Sequence, residues 1–157
     1  MSLKESLATK YTELLAEIST TNSVSLHIRR GDYVSDPNTK AAHYTYGMEY
    51  YSSAIKLIDS KLDNPVYFIF SDDIAWVKEN LKISSSVIFV SAPSTHDYEE
   101  LMLMSKCKNN IIANSSFSFW GAWLNQNSNK IVIAPKRWNN VYESEYKELL
   151  PHSWLKI

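Results

Sequence analysis

Five short apolar runs, separated by stripes of helical spacing, constrain this chain more than any other feature. The runs are residues 24–28, 66–70, 87–90, 111–113 and 131–134. Between them, apolar residues recur at steps of three and four: Leu3, Leu7, Tyr11, Leu14 and Ile18, then Met48, Tyr51, Ile55, Ile58 and Leu62. Further stripes carry Ile74, Val77 and Leu81, then Tyr98, Leu101, Met102 and Ser105, then Phe117, Trp120 and Leu124. Steps of three and four put one side of a helix against a core. The run Val66-Tyr67-Phe68-Ile69-Phe70 is apolar without alternation, as expected of a strand covered on both faces. Strands alternating with helices predict an α/β fold: a Rossmann-like, mostly parallel five-stranded sheet with helices on both faces. Asp36-Pro37-Asn38 reads as a turn in a polar segment over 29–46, and Asp63-Asn64-Pro65 as a helix stop. Asp97 and Glu100 have the spacing of a capping box, and a short helix is expected around 143–150.

A length of 157 residues suits one domain with a single core. The expected organisation is a leading helix and linker over 1–22, a core over 23–140 and a tail over 141–157. A formal net charge of -1 argues against nucleic acid as a partner, so any basic function must be local. No apolar run approaches the roughly 18 residues of a membrane span. The single cysteine, Cys107, excludes an internal disulfide framework and fits a reducing, cytoplasmic compartment. Four scattered histidines give no metal-ligand spacing. Gly31, Gly47 and Gly121 are the only glycines, which is too few, at these positions, for the dinucleotide or P-loop fingerprints. No Ser/His/Asp or Cys/His arrangement suggests covalent catalysis.

In an open parallel sheet, ligands sit beyond the carboxyl ends of the strands. Four runs here end in polar clusters. The first delivers His27, Arg29, Arg30 and Asp32; the second, Asp72 and Asp73; the fourth, Asn114, Ser115, Ser116 and Ser118 around Phe117; the fifth, Lys136 and Arg137. A guanidinium grips phosphate oxygens with parallel hydrogen bonds and stays charged at any working pH. Asp32 is placed to orient an arginine. The serines stand where a strand meets a helix amino terminus, which suits either an anion or an ordinary cap. Asp72 and Asp73 read equally as caps or as ligand contacts, and His27 as a strand residue or a ligand contact. Arg30-Gly31-Asp32 is also the tripeptide that integrins read, but its place at a strand end counts against that use.

Three blocks then resemble a known family. They are His27-Ile28-Arg29-Arg30-Gly31-Asp32-Tyr33, Phe70-Ser71-Asp72-Asp73, and the stretch from Ile111 through Asn114-Ser115-Ser116-Phe117-Ser118-Phe119-Trp120-Gly121 to Leu124, with Pro135-Lys136-Arg137-Trp138 following. Together, in this order, they are similar to the signature of α-1,2-fucosyltransferases of the blood-group H and bacterial O-antigen type. The resemblance implies inverting, metal-independent transfer of fucose from GDP-fucose to a galactose 2-hydroxyl, on a two-domain GT-B fold. It also implies that Arg29 grips the β-phosphate with Asp32 holding the loop, and that Ser116, Phe117 and Ser118 line the donor nucleotide. Arg29 and Asp32 are therefore the catalytic candidates. His27, Arg29, Arg30, Asp72, Asp73, Asn114, Ser115, Ser116, Phe117 and Ser118 are the donor-binding candidates, with no metal or further cofactor. Asp72 and Asp73 join Asp32 as candidates for the base.

Departures from the family pattern are Asn109 in place of a histidine, expected to loosen a polar contact, and Phe119 in place of a tryptophan. Only one helix precedes the arginine block, so the chain is expected to be the carboxyl-terminal, donor-binding half. The galactose-terminated acceptor would then be held by the other half, and the full-length enzyme is expected to be cytoplasmic or peripheral at the inner membrane. A GDP-sugar-binding module without turnover, and a relative of α-1,6 or protein O-fucosyltransferases, are the competing readings.

Overall fold

The computed structural model describes residues 3–140 and 149–157. Helices α1 (Leu3–Lys10) and α2 (Thr12–Thr20) lead into strand β1 (Asn22–Ile28). Short helices α3 (Gly31–Ser35) and α4 (Pro37–Ala42) and the longer α5 (Met48–Asp59) connect it to β2 (Pro65–Ser71). Then come α6 (Ile74–Asn80), β3 (Ser86–Phe89), α7 (Asp97–Lys106), β4 (Asn109–Ile111), α8 (Ser116–Trp123), β5 (Val132–Ala134) and β6 (Leu155–Lys156). The six strands form one parallel sheet in the order β3-β2-β1-β4-β5-β6. The α/β reading from sequence is therefore met, with a sixth strand at the carboxyl end that two residues could not announce. The helix expected around 143–150 falls mostly outside the described residues.

The period-two alternation of the strands sorts the core into two layers. Val24, Leu26, Ile28, Tyr67, Ile69, Ile111 and Ile133 face one side, where Tyr51, Ala54, Ile55 and Ile58 of α5 and Val77 of α6 cover them. Phe68 and Phe70 face the other side and meet Ile18 of α2 with Leu103 and Met104 of α7. Ile112, Val132 and Ala134 continue that second layer under Ala122 of α8 and Trp154. Helices thus cover both faces, as the unbroken apolar run of β2 required.

Three local readings change. The leading stripe is two helices, not one. Tyr11 leaves helical geometry at φ -117, ψ 29, and the Thr12 hydroxyl bonds back to the Ala8 carbonyl at 2.7 Å. Such back-bonding competes with the helix ladder and bends it. Asp36-Pro37-Asn38 is a helix start: Asp36 accepts from the Asn38 N–H (2.9 Å) and the Thr39 hydroxyl (3.1 Å), with Pro37 at the first helical position. At α7 the reciprocal carboxylate is Glu99, which accepts from the His96 N–H at 2.9 Å, so the box lies one residue earlier than Asp97 and Glu100.

β4 begins two residues earlier than its apolar run because two buried asparagines are satisfied inside the fold. Asn110 donates to the Ser25 hydroxyl (2.7 Å) and the Met104 carbonyl (3.0 Å), and accepts from Asn125 (2.7 Å). Asn109 accepts the Ile131 N–H at 2.9 Å, so the position expected to lose a polar contact makes one. Phe119 stacks on Trp123 (5.8 Å, 19°) and tilts against Trp154 (5.3 Å).

Candidate active site

The chain leaves β1 for β2 and β3 on one side, then returns to the other side of β1 for β4. The strand order reverses between β1 and β4, and the crevice outside their carboxyl ends is where open α/β sheets bind ligands. Arg29 follows β1 at that crevice. A cleft of about 590 Å³ opens there, between the strand ends and the amino-terminal parts of α7 and α8. Its floor is His27, Arg29, Ser71 and Asp72; one wall is Ser91, Ala92, Pro93 and Thr95; Ile74, Asp97, Glu100 and Phe117 complete it.

Asp72 holds the turn that carries the arginines. Its carboxylate accepts the backbone N–H groups of Arg30 (2.9 Å) and Gly31 (3.0 Å), and its Oδ2 lies 3.3 Å from Arg29 Nε. The turn packs so closely that a Cβ on Gly31 would stand 2.9 Å from Asp72 Oδ2. Ser71 locks the neighbouring strand ends by donating to the Ile28 carbonyl (2.7 Å) and accepting from the Asp73 N–H (3.0 Å). Asp32 pairs with Arg29 instead of the turn's backbone, at 3.0 Å from Nη2. Arg29 is thus held from two sides, by Asp72 at Nε and by Asp32 at Nη2, with its guanidinium carbon 5.6 Å from the Tyr33 ring centre. Burial works to lower its pKa, but the charges of Asp72 and then Asp32 outweigh it, so the guanidinium is held more firmly protonated than usual.

The two arginines part company. Arg30 lays its guanidinium 3.8 Å above the Trp76 ring and sets Nε 3.4 Å from Asp73. Asp73 also caps α6, accepting from the Trp76 N–H at 3.4 Å. Neither borders the cleft. Asn114 spends its amide on the carbonyls of Tyr44 and Trp138, both at 2.7 Å, bracing two loops beside the crevice. Ser115 precedes α8, Ser116 is exposed, and the Ser118 hydroxyl points back to the carbonyls of Ala113 and Ser115. Of the residues singled out from sequence, the structure brings His27, Arg29, Asp72 and Phe117 to the cleft wall. Arg30, Asp32, Asp73, Asn114, Ser115, Ser116 and Ser118 do not line it, Asp32 reaching it only through its ion pair with Arg29.

His27 is 2% exposed, its ring lies 5.5 Å from that of Phe117, and its Nδ1 has no hydrogen-bond partner among the described residues. Burial, and then the charge of Arg29, push its pKa down to about 3, so the imidazole is neutral at working pH. Glu100 is a wall residue that sequence reasoning assigned to a cap. Burial raises its carboxyl pKa, the Ser91 hydroxyl opposes that, and the charges of Asp97 and Asp72 add to it. The cleft thus has a cation at one place, carboxylates elsewhere, and an aromatic-imidazole surface.

A sequence profile described as Glycosyl transferase family 11 matches residues 2–157. The chain belongs to glycosyl transferase family 11. The O-antigen biosynthesis glycosyltransferase WbnK of Escherichia coli is 41% identical over 138 residues, which cover 87% of this chain and 45% of that protein. An alpha-1,2-colitosyltransferase of Escherichia coli is 42% identical over 149 residues, covering 92% and 51%. The galactoside 2-alpha-L-fucosyltransferase SEC1 of Bos taurus is 29% identical over 103 residues, covering 64% and 28%. The chain spans about half the length of its bacterial relatives. Among the described residues no helix is long and apolar enough to cross a membrane.

Proposed function

We propose that this chain binds the GDP-fucose donor of an α-1,2-fucosyltransferase, and that transfer to a galactose 2-hydroxyl needs the remaining half of a family member's length. The observation that carries the reading is Arg29, a guanidinium held in place by two carboxylates and lining, at the switch point, a cleft large enough for a nucleotide. Reaction breaks the bond between the fucose anomeric carbon and the β-phosphate oxygen. The acceptor hydroxyl enters from the opposite face, giving inversion, and a base takes its proton. The sugar passes through an oxocarbenium-like state while negative charge grows on the diphosphate. A prepositioned guanidinium opposes that charge without a metal.

Guanine presents two adjacent N–H donors on one edge, and a carboxylate accepts both in parallel. Glu100 supplies such a carboxylate on the wall, while the half-buried Phe117, backed by His27, offers a ring surface for the nucleoside. Of the carboxylates considered for the base, Asp72 is committed to three donors and Asp73 to a cap and Arg30. Asp32, at 45% side-chain exposure, is the least committed and takes the role in this reading. The relative that transfers colitose favours a second reading of the sugar, with the same nucleotide site and a different deoxysugar. In the full-length enzyme the place of action is the cytoplasm, at the inner face of the membrane where O-antigen precursors are built.

Calorimetry with GDP, ADP and UDP tests the nucleotide assignment. GDP is expected to bind at least tenfold more tightly than either competitor. Equal affinities for the three, or no heat with GDP, would overturn it.

A further inference from the structure

The bend between α1 and α2 is not a surface accident. Lys10 closes α1 and Tyr11 stands at the break, and both reach across about ninety residues of sequence to one carboxylate. Lys10 Nζ lies 2.8 Å from each oxygen of Glu99, and the Tyr11 hydroxyl donates to Oε2 at 2.9 Å. The same Oε2 accepts the His96 N–H at 2.9 Å, and Lys10 Nζ also reaches the Ser94 carbonyl at 3.4 Å. The Glu99 side chain is 6% exposed, so four donor contacts converge on a carboxylate almost shut off from water. Hydrogen bonds to an ionised group are the strong ones, and leaving such a group unpaired is costly.

What these bonds hold is a wall of the cleft. Ser91, Ala92, Pro93 and Thr95 lie between β3 and α7, and Asp97 and Glu100 stand on the first turn of α7, on either side of Glu99. Within that loop the Thr95 N–H donates to the Ala92 carbonyl at 2.9 Å. Ser91 ties the start of the loop to the floor, its hydroxyl accepting the Ser71 N–H at 2.9 Å. The far end, where the loop enters α7, is held by the Glu99 carboxylate and by the two side chains that the leading helices send to it.

We propose that Glu99 is a positioning residue for the nucleotide cleft, and that Lys10 and Tyr11 make the leading helices α1 and α2 part of the site's support. Glu99 does not touch the ligand; it sets the distance between the 91–97 wall and the floor at Arg29 and Asp72. Lys10, first among its partners, holds the Glu99 carboxyl down to about 2, so the clamp is charged at any working pH. The inference rests on the cleft being the GDP site, and its test separates the two.

The whole 157-residue chain carries the test, as wild type, Glu99→Gln, Lys10→Met and the double variant. The first readout is hydrogen exchange without nucleotide. Glu99→Gln is expected to speed exchange of the Thr95, His96 and Glu100 amides at least tenfold, while amides of β1 and β2 change less than twofold. The second is GDP affinity by calorimetry. Glu99→Gln is expected to weaken it five- to twentyfold, Lys10→Met three- to tenfold, and the double variant no more than twofold beyond Glu99→Gln. Lys10→Arg, which keeps the donors and the charge, is expected to stay within twofold of wild type. If Glu99→Gln does not fold, Lys10→Met carries the same two readouts. Unchanged exchange at Thr95 and His96, or GDP affinity within twofold in a variant whose melting temperature has fallen, would show a clamp with only a structural role. Absence of GDP binding by the wild type would instead sink the GDP reading, and the exchange result would still decide whether the clamp sets the wall.

Discussion

Asp72→Asn is the substitution whose cost follows most directly from the geometry. The carboxylate now serves the Arg30 N–H, the Gly31 N–H and Arg29 Nε, at 2.9, 3.0 and 3.3 Å. An asparagine offers one acceptor and turns its NH₂ toward a backbone N–H, so one donor is left facing another. It also removes the charge that strengthens the surviving bond. Hydrogen bonds to charged groups are worth roughly 1.5–3 kcal/mol each, and the side chain is 25% exposed, so water relieves part of the loss. The expected destabilisation is about 2 kcal/mol. In urea this lowers the midpoint at an unchanged slope. In a thermal scan it lowers Tm by roughly 4–8 °C for a chain of this size. GDP affinity should fall with it, since the turn carrying Arg29 loses its anchor. A loss below about 0.5 kcal/mol, or a stability loss with unchanged GDP affinity, would refute the claim that Asp72 organises the turn.

Other outcomes follow from particular contacts. Gly31→Ala places a Cβ 2.9 Å from Asp72 Oδ2 and 3.2 Å from Cγ; GDP affinity is expected to drop about tenfold, or about 1.4 kcal/mol, measured by calorimetry. Gly121→Ala meets Met104 Cβ at 3.0 Å where α8 crosses α7. Overpacking of about 2 kcal/mol should outweigh the roughly 1 kcal/mol that alanine adds to a helix, so urea unfolding should show a net loss of about 1 kcal/mol. A gain would mean that the helices are free to part. For His27, the folded pKa near 3 lies below the ordinary 6.5, so the unfolded chain binds the proton more readily between those values. Stability from neutral His27 is present above pH 6.5 and falls as pH drops toward 3, by up to about 1.4 kcal/mol per pH unit. His27→Leu should flatten that part of the stability-against-pH curve.

Much of the fold was legible because burial on two sides leaves a mark in sequence. The unbroken run 66–70 was expected to be a strand covered on both faces, and it is, with Phe68 and Phe70 in one layer and Tyr67 and Ile69 in the other. The boundaries that slipped have polar causes. Asn109 and Asn110 read as a loop, yet neighbours in the fold satisfy their amides, and no local pattern foretells such partners. Tyr11, at the break between the leading helices, finds its hydroxyl's partner in Glu99, eighty-eight residues away. The site was legible at the strand ends, where polar residues interrupt apolar runs. Its division of labour was not. Adjacent arginines look alike by composition and spacing; the resemblance singled out Arg29, and the fold adds that Arg30 goes to Trp76 while Arg29 lines the cleft. Glu100 was hidden because a carboxylate in a first helical turn is an ordinary capping feature, and only the loop opposite gives it a cleft to face.

The measurement that most directly tests the central claim is calorimetric titration of GDP into wild type, Arg29→Ala and Arg30→Ala. A charge-assisted contact to phosphate is worth about 1.4–3 kcal/mol, so Arg29→Ala should bind roughly ten- to a hundredfold more weakly. Arg30→Ala, whose guanidinium is occupied by Trp76 and Asp73, should stay within about threefold of wild type. Equal heats for wild type and Arg29→Ala, or a greater loss from Arg30→Ala, would contradict the account.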